Sequence, residues 1–184
     1  MVLLQSEQKL KTGDVAPFFS LLGVDGKIHS LSDYAGAKAF LVVFMCNHCP
    51  YVKAKFPRLN QIYDKYYQRG LKMVGINPND ASQYPEDSFE NMKKVAKEQK
   101  FRFDYLYDET QEVAKAYGAV CTPDPFLFDS NMRLAYHGRL DDALSPGMKP
   151  TKFDMENAID AVLAGKRPNP AFLFSQGCSI KWKE

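Results

Sequence analysis

The apolar residues of this chain follow two patterns, short unbroken runs and longer stretches in which they recur every three or four positions. The runs AFLVVFM (39–45) and LKMVGIN (71–77) predict strands buried on both faces of a sheet. The recurrence over residues 49–69 predicts an amphipathic helix that ends at Gly70. Because Pro57 falls inside this helix, a kink is expected there.

The rest of the chain continues these patterns. A strand is predicted at 104–108, hairpins at 18–23 with 27–31 and at 125–129 with 133–138, and helices at 85–100, 109–117 and 152–164. The apolar tail at about 166–184 is predicted to be irregular but packed on the domain. This order predicts an α/β fold with a central mixed sheet flanked by helices, preceded by an N-terminal hairpin, in one domain over 1–184.

Composition and charge narrow the possible partners. The chain has 184 residues and a formal net charge of +2, with mixed charges, which favours neither nucleic acid nor a membrane surface as the main partner. No run approaches the roughly 20 apolar residues of a membrane-spanning helix. The N-terminal segment lacks the basic and apolar regions of a signal peptide, so a cytoplasmic location is expected.

The segment CNHCP follows the first long apolar run and contains two of the four cysteines. Two kinds of chemistry suit this pair. A closed zinc site needs four ligands, commonly as two close pairs, and the other cysteines, Cys121 and Cys178, are single and far apart. A dithiol that exchanges electrons needs only Cys46 and Cys49, and no metal or other cofactor is then expected.

The position of the pair favours the dithiol. If a helix begins directly after the strand, Cys46 lies at its cap and Cys49 three residues later, so both sulfurs lie on one side of the first turn. The positive end of the helix dipole would then lower the pKa of Cys46, and only a thiolate attacks a disulfide. His48 could donate a hydrogen bond to this thiolate, although a solvated turn residue is the plainer interpretation. We therefore expect Cys46 to attack and to be more exposed than the resolving Cys49.

The chain resembles the thioredoxin superfamily, and within it the redoxin-like proteins of the alkyl hydroperoxide reductase/thiol-specific antioxidant type. The resemblance rests on the strand–CNHC–helix unit, on the strand LKMVGIN, on DETQEVAKAYGAVCTPDPFLFD and on the closing β-β-α unit. It implies a thiol–disulfide oxidoreductase with a protein or small-molecule disulfide substrate and an external thiol electron donor, such as a thioredoxin-type system. It also implies that Thr122–Pro123 is a cis-proline loop facing the cysteines, with Arg139 on a neighbouring loop.

Two alternatives remain open within this fold. Peroxiredoxins carry Pro-x-x-x-Thr-x-x-Cys, and when this signature is laid on Cys49, Val42 and Cys46 occupy the Pro and Thr positions, which removes the groups that orient peroxide. Copper-handling relatives usually space their cysteines Cys-x-x-x-Cys-Pro, one residue longer than here. The His before the second cysteine resembles oxidising family members, so the direction of electron flow stays open.

Three further residues each have two possible roles. Arg139 could steady a thiolate or an acidic substrate, or could pair with Asp141 or Asp142. Cys121 is expected near the redox pair but not bonded to it, either as an accessory thiol or as a small packing residue. Cys178 is interpreted either as a small buried residue or as a redox group. The buried carboxylate that this family often holds beneath the second cysteine could not be assigned.

Overall fold

The computed structural model describes residues 2–183 and places eight strands in one sheet. The strands of the described chain are β1 Leu3–Gln5, β2 Ser20–Gly23, β3 Ile28–Ser30, β4 Ala39–Phe44, β5 Leu71–Asn77, β6 Asp104–Tyr107, β7 Cys121–Thr122, β8 Asp124–Asp129, β9 Leu134–Gly138, β10 Phe172–Leu173 and β11 Gln176–Ser179. The large sheet has the order β10-β9-β8-β4-β5-β6-β2-β3. It is mixed, since β4 runs parallel to β5 and antiparallel to β8. The predicted fold class and both predicted hairpins are confirmed.

β4 is the centre of the molecule because its six residues are all fully buried. Leu41 and Val43 face a cluster that includes both cysteines of the CNHC segment, whereas Val42 and Phe44 face a second apolar cluster. Alternate residues of a strand point to opposite faces, so an unbroken apolar run serves two cores. The two cysteines, which follow the C-terminal end of β4, therefore lie in the first core.

The helices are shorter than the sequence predicts. They are α1 Pro50–Lys53, α2 Phe56–Tyr66, α3 Phe89–Glu98, α4 Glu112–Tyr117 and α5 Asp154–Leu163. The kink expected at Pro57 is a full break between α1 and α2, because proline lacks an N–H and its ring clashes with the carbonyl four residues earlier. Pro57 instead lies in the first turn of α2, where proline is tolerated. No helix within residues 2–183 is both long enough and apolar enough to cross a membrane.

A small second sheet, of order β1-β11-β7, was missed by sequence patterns. The tail predicted to be irregular contains β10 and β11, and its Cys178 and Ile180 are buried. In β11, Gly177 lies against Thr122 so closely that a Cβ atom there would overlap the Thr122 carbonyl. The prediction of one domain over 1–184 includes Met1 and Glu184, which lie outside the described residues.

Candidate active site

The turn between β4 and α1 holds the two closely spaced cysteines. Helix α1 begins at Pro50, and Cys49 occupies its N-cap with extended backbone (φ −65°, ψ 124°). Neither Cys46 nor Cys49 has exposed surface. The expectations that Cys46 caps the helix and is the more exposed cysteine are therefore wrong. Proline sets the helix start, because the residue before it is disfavoured in helical conformation.

Cys49 is bonded to Cys178 of β11, with their Cα atoms 6.3 Å apart, across 129 residues of sequence. Cys46 is a buried thiol outside any disulfide. In this structure the partner of Cys49 is therefore Cys178 and not Cys46. Strand β11 places Cys178 beside the start of α1, and no local pattern of the sequence predicts this contact.

The loop after β7 faces both cysteines. The Thr122–Pro123 peptide bond is cis, which is the geometry that the resemblance implies. The Thr122 hydroxyl lies 3.4 Å from the sulfur of Cys46, and the Thr122 carbonyl oxygen lies 3.6 Å from the sulfur of Cys49. The structure therefore brings together four of the predicted site residues, with Cys46, Cys49 and Pro123 around Thr122.

A buried carboxylate, Asp87, lies beside the turn. It accepts hydrogen bonds from the backbone N–H of Asn47 (2.7 Å) and from the Asn79 amide (2.7 Å), and lies 2.6 Å from His48 Nδ1. The imidazole also stacks on Tyr84. Within residues 2–183, the buried Nε2 of His48 has no hydrogen-bond partner. Asp87 falls within the helix predicted at 85–100, and no local feature of the sequence indicates its contact with Asn47, forty positions earlier.

The surroundings of Cys46 disfavour a thiolate. Burial, followed by the negative charge of Asp87, raises the pKa of Cys46 to about 12, and this outweighs the opposing hydrogen bonds from Thr122 and from the turn. The predicted lowering of this pKa is therefore wrong. The dipole argument assumed a long helix and a carboxylate-free site, whereas α1 has only four residues and begins after Cys49.

Cys121 lies in β7, on the strand that pairs with β11. It is buried and unbonded, which confirms that it is not linked to Cys46 or Cys49. Burial and the nearby Asp124 raise its pKa. Asp124 is itself fully buried and lies 2.8 Å from His137 Nε2. The accessory-thiol role stays a prediction, and it requires β7 to move because Cys121 has no exposed surface.

Arg139 follows the last residue of β9 and lines a small cavity together with Pro123 and Tyr51. Its Nε lies 2.7 Å from Asp154 at the start of α5. Neither expected ion pair forms, because Asp141 binds Lys55 and Asp142 accepts hydrogen bonds from Thr151. The guanidinium group is thus held in place beside the cis-proline loop.

One group of residues in the described chain could hold a metal ion. Cys46, His48 and Asp87 each offer one ligand atom, and these atoms lie within 4.8 Å of one another. Sulfur, imidazole and carboxylate ligands suit zinc or copper. A closed zinc site requires a fourth ligand, and the adjacent Cys49 sulfur is already bonded to Cys178.

Residues 12–137 match the model of the AhpC/TSA family. The chain belongs to this family. Its fold is shared by the crystal structure of an uncharacterized conserved protein from Geobacillus kaustophilus, which is 46% identical over 100% of this chain and 97% of the other, with a TM-score of 0.93. A putative thiol:disulfide interchange protein DsbE from Chlorobium tepidum is 28% identical over 84% of this chain and 99% of the other, with a TM-score of 0.69.

A curated relative agrees with this assignment. The thiol-disulfide oxidoreductase ResA of Geobacillus thermodenitrificans (strain NG80-2) is 27% identical over 150 residues, which are 82% of this chain and 77% of the relative. Together with the family match, these relatives place the protein among the thioredoxin-fold oxidoreductases of thiols and disulfides.

Proposed function

We propose that Cys46 and Cys49 exchange disulfides with a protein or small-molecule substrate and receive electrons from an external thiol donor. The observation that carries the proposal is the contact of both sulfurs with Thr122 at the end of a buried strand. This arrangement holds a thiol and a second sulfur at one place, with a backbone carbonyl and a hydroxyl beside them.

The exchange proceeds in two steps from the fully reduced protein. The Cys46 thiolate attacks a substrate disulfide, forms a mixed disulfide and releases one substrate thiolate, which takes up a proton. The Cys49 thiolate then attacks the Cys46 sulfur, forms the Cys46–Cys49 bond and releases the second substrate thiol. The substrate is reduced by two electrons and the protein is oxidised by two, and the external donor reverses this oxidation.

Substrate reaches the turn from the side of His48. An open groove beside the turn is lined by Asn47, His48, Lys53, Phe56 and Asn91, among others. Thr122 and Pro123 are buried beside the sulfurs and would meet the substrate once the site opens, and Arg139 would favour an acidic group near them. His48 serves as the group that moves a proton to or from Cys46, since its Nδ1 is oriented by Asp87.

Metal binding is the second candidate function, because Cys46, His48 and Asp87 lie within ligand distance of one another. Equilibrium dialysis of the reduced protein against copper and zinc tests it directly. Peroxidase activity has weaker support, since Val42 at the Pro position of the signature is buried inside β4.

The proposal is tested by following turnover of two disulfides, glutathione disulfide and insulin, with dithiothreitol as the donor. Cys46→Ser and Cys49→Ser should each fall to the uncatalysed rate, whereas Ser20→Ala, an exposed hydroxyl of β2, should keep the parent rate. Hydrogen peroxide consumption is measured in the same preparations. A parent rate in Cys46→Ser, or faster turnover of peroxide than of either disulfide, would contradict the proposal.

A further inference from the structure

Cys178 approaches the exchange site from an element that the proposed exchange does not use. It lies in β11, directly opposite Thr122 in the pairing of β11 with β7. Thr122 in turn contacts Cys46 through its hydroxyl and Cys49 through its carbonyl. One residue therefore lies against three cysteines, of which two form a disulfide and the third is a thiol.

The close approach of β11 depends on Gly177. Any side chain at this position would overlap the carbonyl of Thr122 and contact the ring of Pro123. The glycine at position 177, next to Cys178, therefore allows β11 to lie directly on the cis-proline loop. Cys178 is held against the loop on which substrate exchange would take place, and is not a cysteine of a distant surface.

We propose that Cys178 is a third redox-active cysteine, which accepts the disulfide from Cys46 and returns Cys46 to the thiol state. This inference rests on the proposed exchange through Cys46 and Cys49. It makes Cys49 the shared member of two alternative disulfides, one with Cys46 and one with Cys178, and the structure holds the second of these.

The transfer is an internal thiol–disulfide exchange. The Cys178 thiolate attacks the Cys49 sulfur of the Cys46–Cys49 disulfide, the Cys49–Cys178 bond forms, and Cys46 leaves as a thiolate. One disulfide is present before and after, so no electrons enter or leave the protein. Cys178 loses one proton and Cys46 gains one, for which His48 lies beside Cys46.

The proposal has a chemical consequence for the oxidised protein. A protein with only the Cys46–Cys49 pair loses its attacking thiol when that pair is oxidised. Here the oxidised protein keeps a thiol at Cys46, because its disulfide joins Cys49 at the start of α1 to Cys178 in β11. The rival explanation is a static disulfide that only braces β11, and the two explanations differ in whether Cys46 affects the Cys49–Cys178 bond.

The first measurement maps disulfides after oxidation with diamide, which needs no catalytic substrate. The protein is alkylated, digested without reduction and analysed by mass spectrometry. The parent and Ser179→Ala, a matched change at the next residue of β11, should show the Cys49–Cys178 link with Cys46 alkylated after unfolding. Cys178→Ser and Cys178→Ala should show the Cys46–Cys49 link instead.

The second measurement follows the reduction of the Cys49–Cys178 bond by dithiothreitol in the parent and in Cys46→Ser, with folding of each variant checked by circular dichroism. We expect reduction to slow by about tenfold or more in Cys46→Ser, because the exchange that moves the disulfide to the turn is lost. Equal rates would overturn the proposal, as would an oxidised parent that contains a Cys46–Cys49 link. If instead neither glutathione disulfide nor insulin is turned over, the proposed function fails while both of these measurements remain decisive for Cys178.

Discussion

At the scale of single residues, Cys46 combines a reactive sulfur with surroundings that oppose its ionisation. It has no exposed surface, and the carboxylate of Asp87 lies near it. Burial disfavours the thiolate through desolvation, and the nearby negative charge disfavours it further through repulsion. The folded protein therefore keeps Cys46 protonated in neutral solution.

This environment predicts the pH dependence of Cys46 reactivity. Because the pKa of Cys46 is raised to about 12, its alkylation rate in Cys121→Ser should rise about tenfold per pH unit from pH 7 to 10 without a plateau. Replacing Asp87→Asn removes the repelling charge, so alkylation at pH 8 should become about tenfold faster. The control is Asp80→Asn, whose carboxylate accepts hydrogen bonds from Ser82. A plateau below pH 9 would show that the thiolate is stabilised instead.

At the scale of secondary-structure elements, β11 positions the chemistry although it has only four residues. It pairs with β1 on one side and with β7 on the other, so backbone hydrogen bonds fix it from both edges. Gly177 sets how closely it lies on the cis-proline loop. A strand this short gives no alternating pattern long enough to be recognised, which explains why the sequence predicted an irregular tail.

Gly177→Ala tests the fit of β11 against this loop. The added methyl group overlaps backbone that cannot rotate away, so the free energy of unfolding should fall by about 1–3 kcal/mol and the Cys49–Cys178 link should form more slowly. Urea unfolding of the reduced protein measures the first effect, and disulfide mapping against time measures the second. Gln176→Ala, one residue earlier in the same strand, is the matched control. Unchanged stability would mean that β11 and the loop can separate at little cost.

Sequence patterns predicted some elements of the structure and missed others. Long apolar runs such as 39–45 and 71–77 predicted the central strands because both of their faces are buried. The cysteine turn could be placed because it adjoins the first of these strands, whereas the Thr122–Pro123 loop was placed by the family resemblance. Asp87 and Cys178 could not, since their roles arise from contacts made across 40 and 129 residues.

At the scale of the whole molecule, ionisable groups are buried in both cores. Burial raises the pKa of the hydroxyl groups of Tyr34, Tyr105, Tyr117 and Tyr136, as well as that of the Cys46 thiol. In each of these groups the folded protein holds the proton more tightly than the unfolded chain does. Folding is therefore linked to the proton concentration in alkaline solution.

The sign of this linkage gives a prediction. Below about pH 8 both the folded and the unfolded forms carry these protons, and stability is unaffected by them. Above this value the unfolded chain releases protons that the folded protein retains, so the free energy of unfolding should fall steadily from pH 9 to 11. Urea unfolding at pH 7, 9 and 10.5 measures the decline, and repeating it in about 0.5 M salt removes the screened surface contribution. A flat profile would contradict the burial of these groups.

The disulfide across 129 residues ties the fold to the redox chemistry through a thermodynamic cycle. A bond that closes so long a loop restricts the unfolded chain, and in the chain-entropy model this stabilises the folded form by about 4–5 kcal/mol. In a closed thermodynamic cycle, folding must favour formation of the disulfide by the same free energy. It does so by raising the effective concentration of Cys178 at Cys49. Any change that loosens the fold therefore makes this bond easier to reduce, including substitutions far from the sulfurs. The free energy of unfolding of the reduced protein, measured with denaturant, therefore contributes to the reduction potential of the Cys49–Cys178 disulfide.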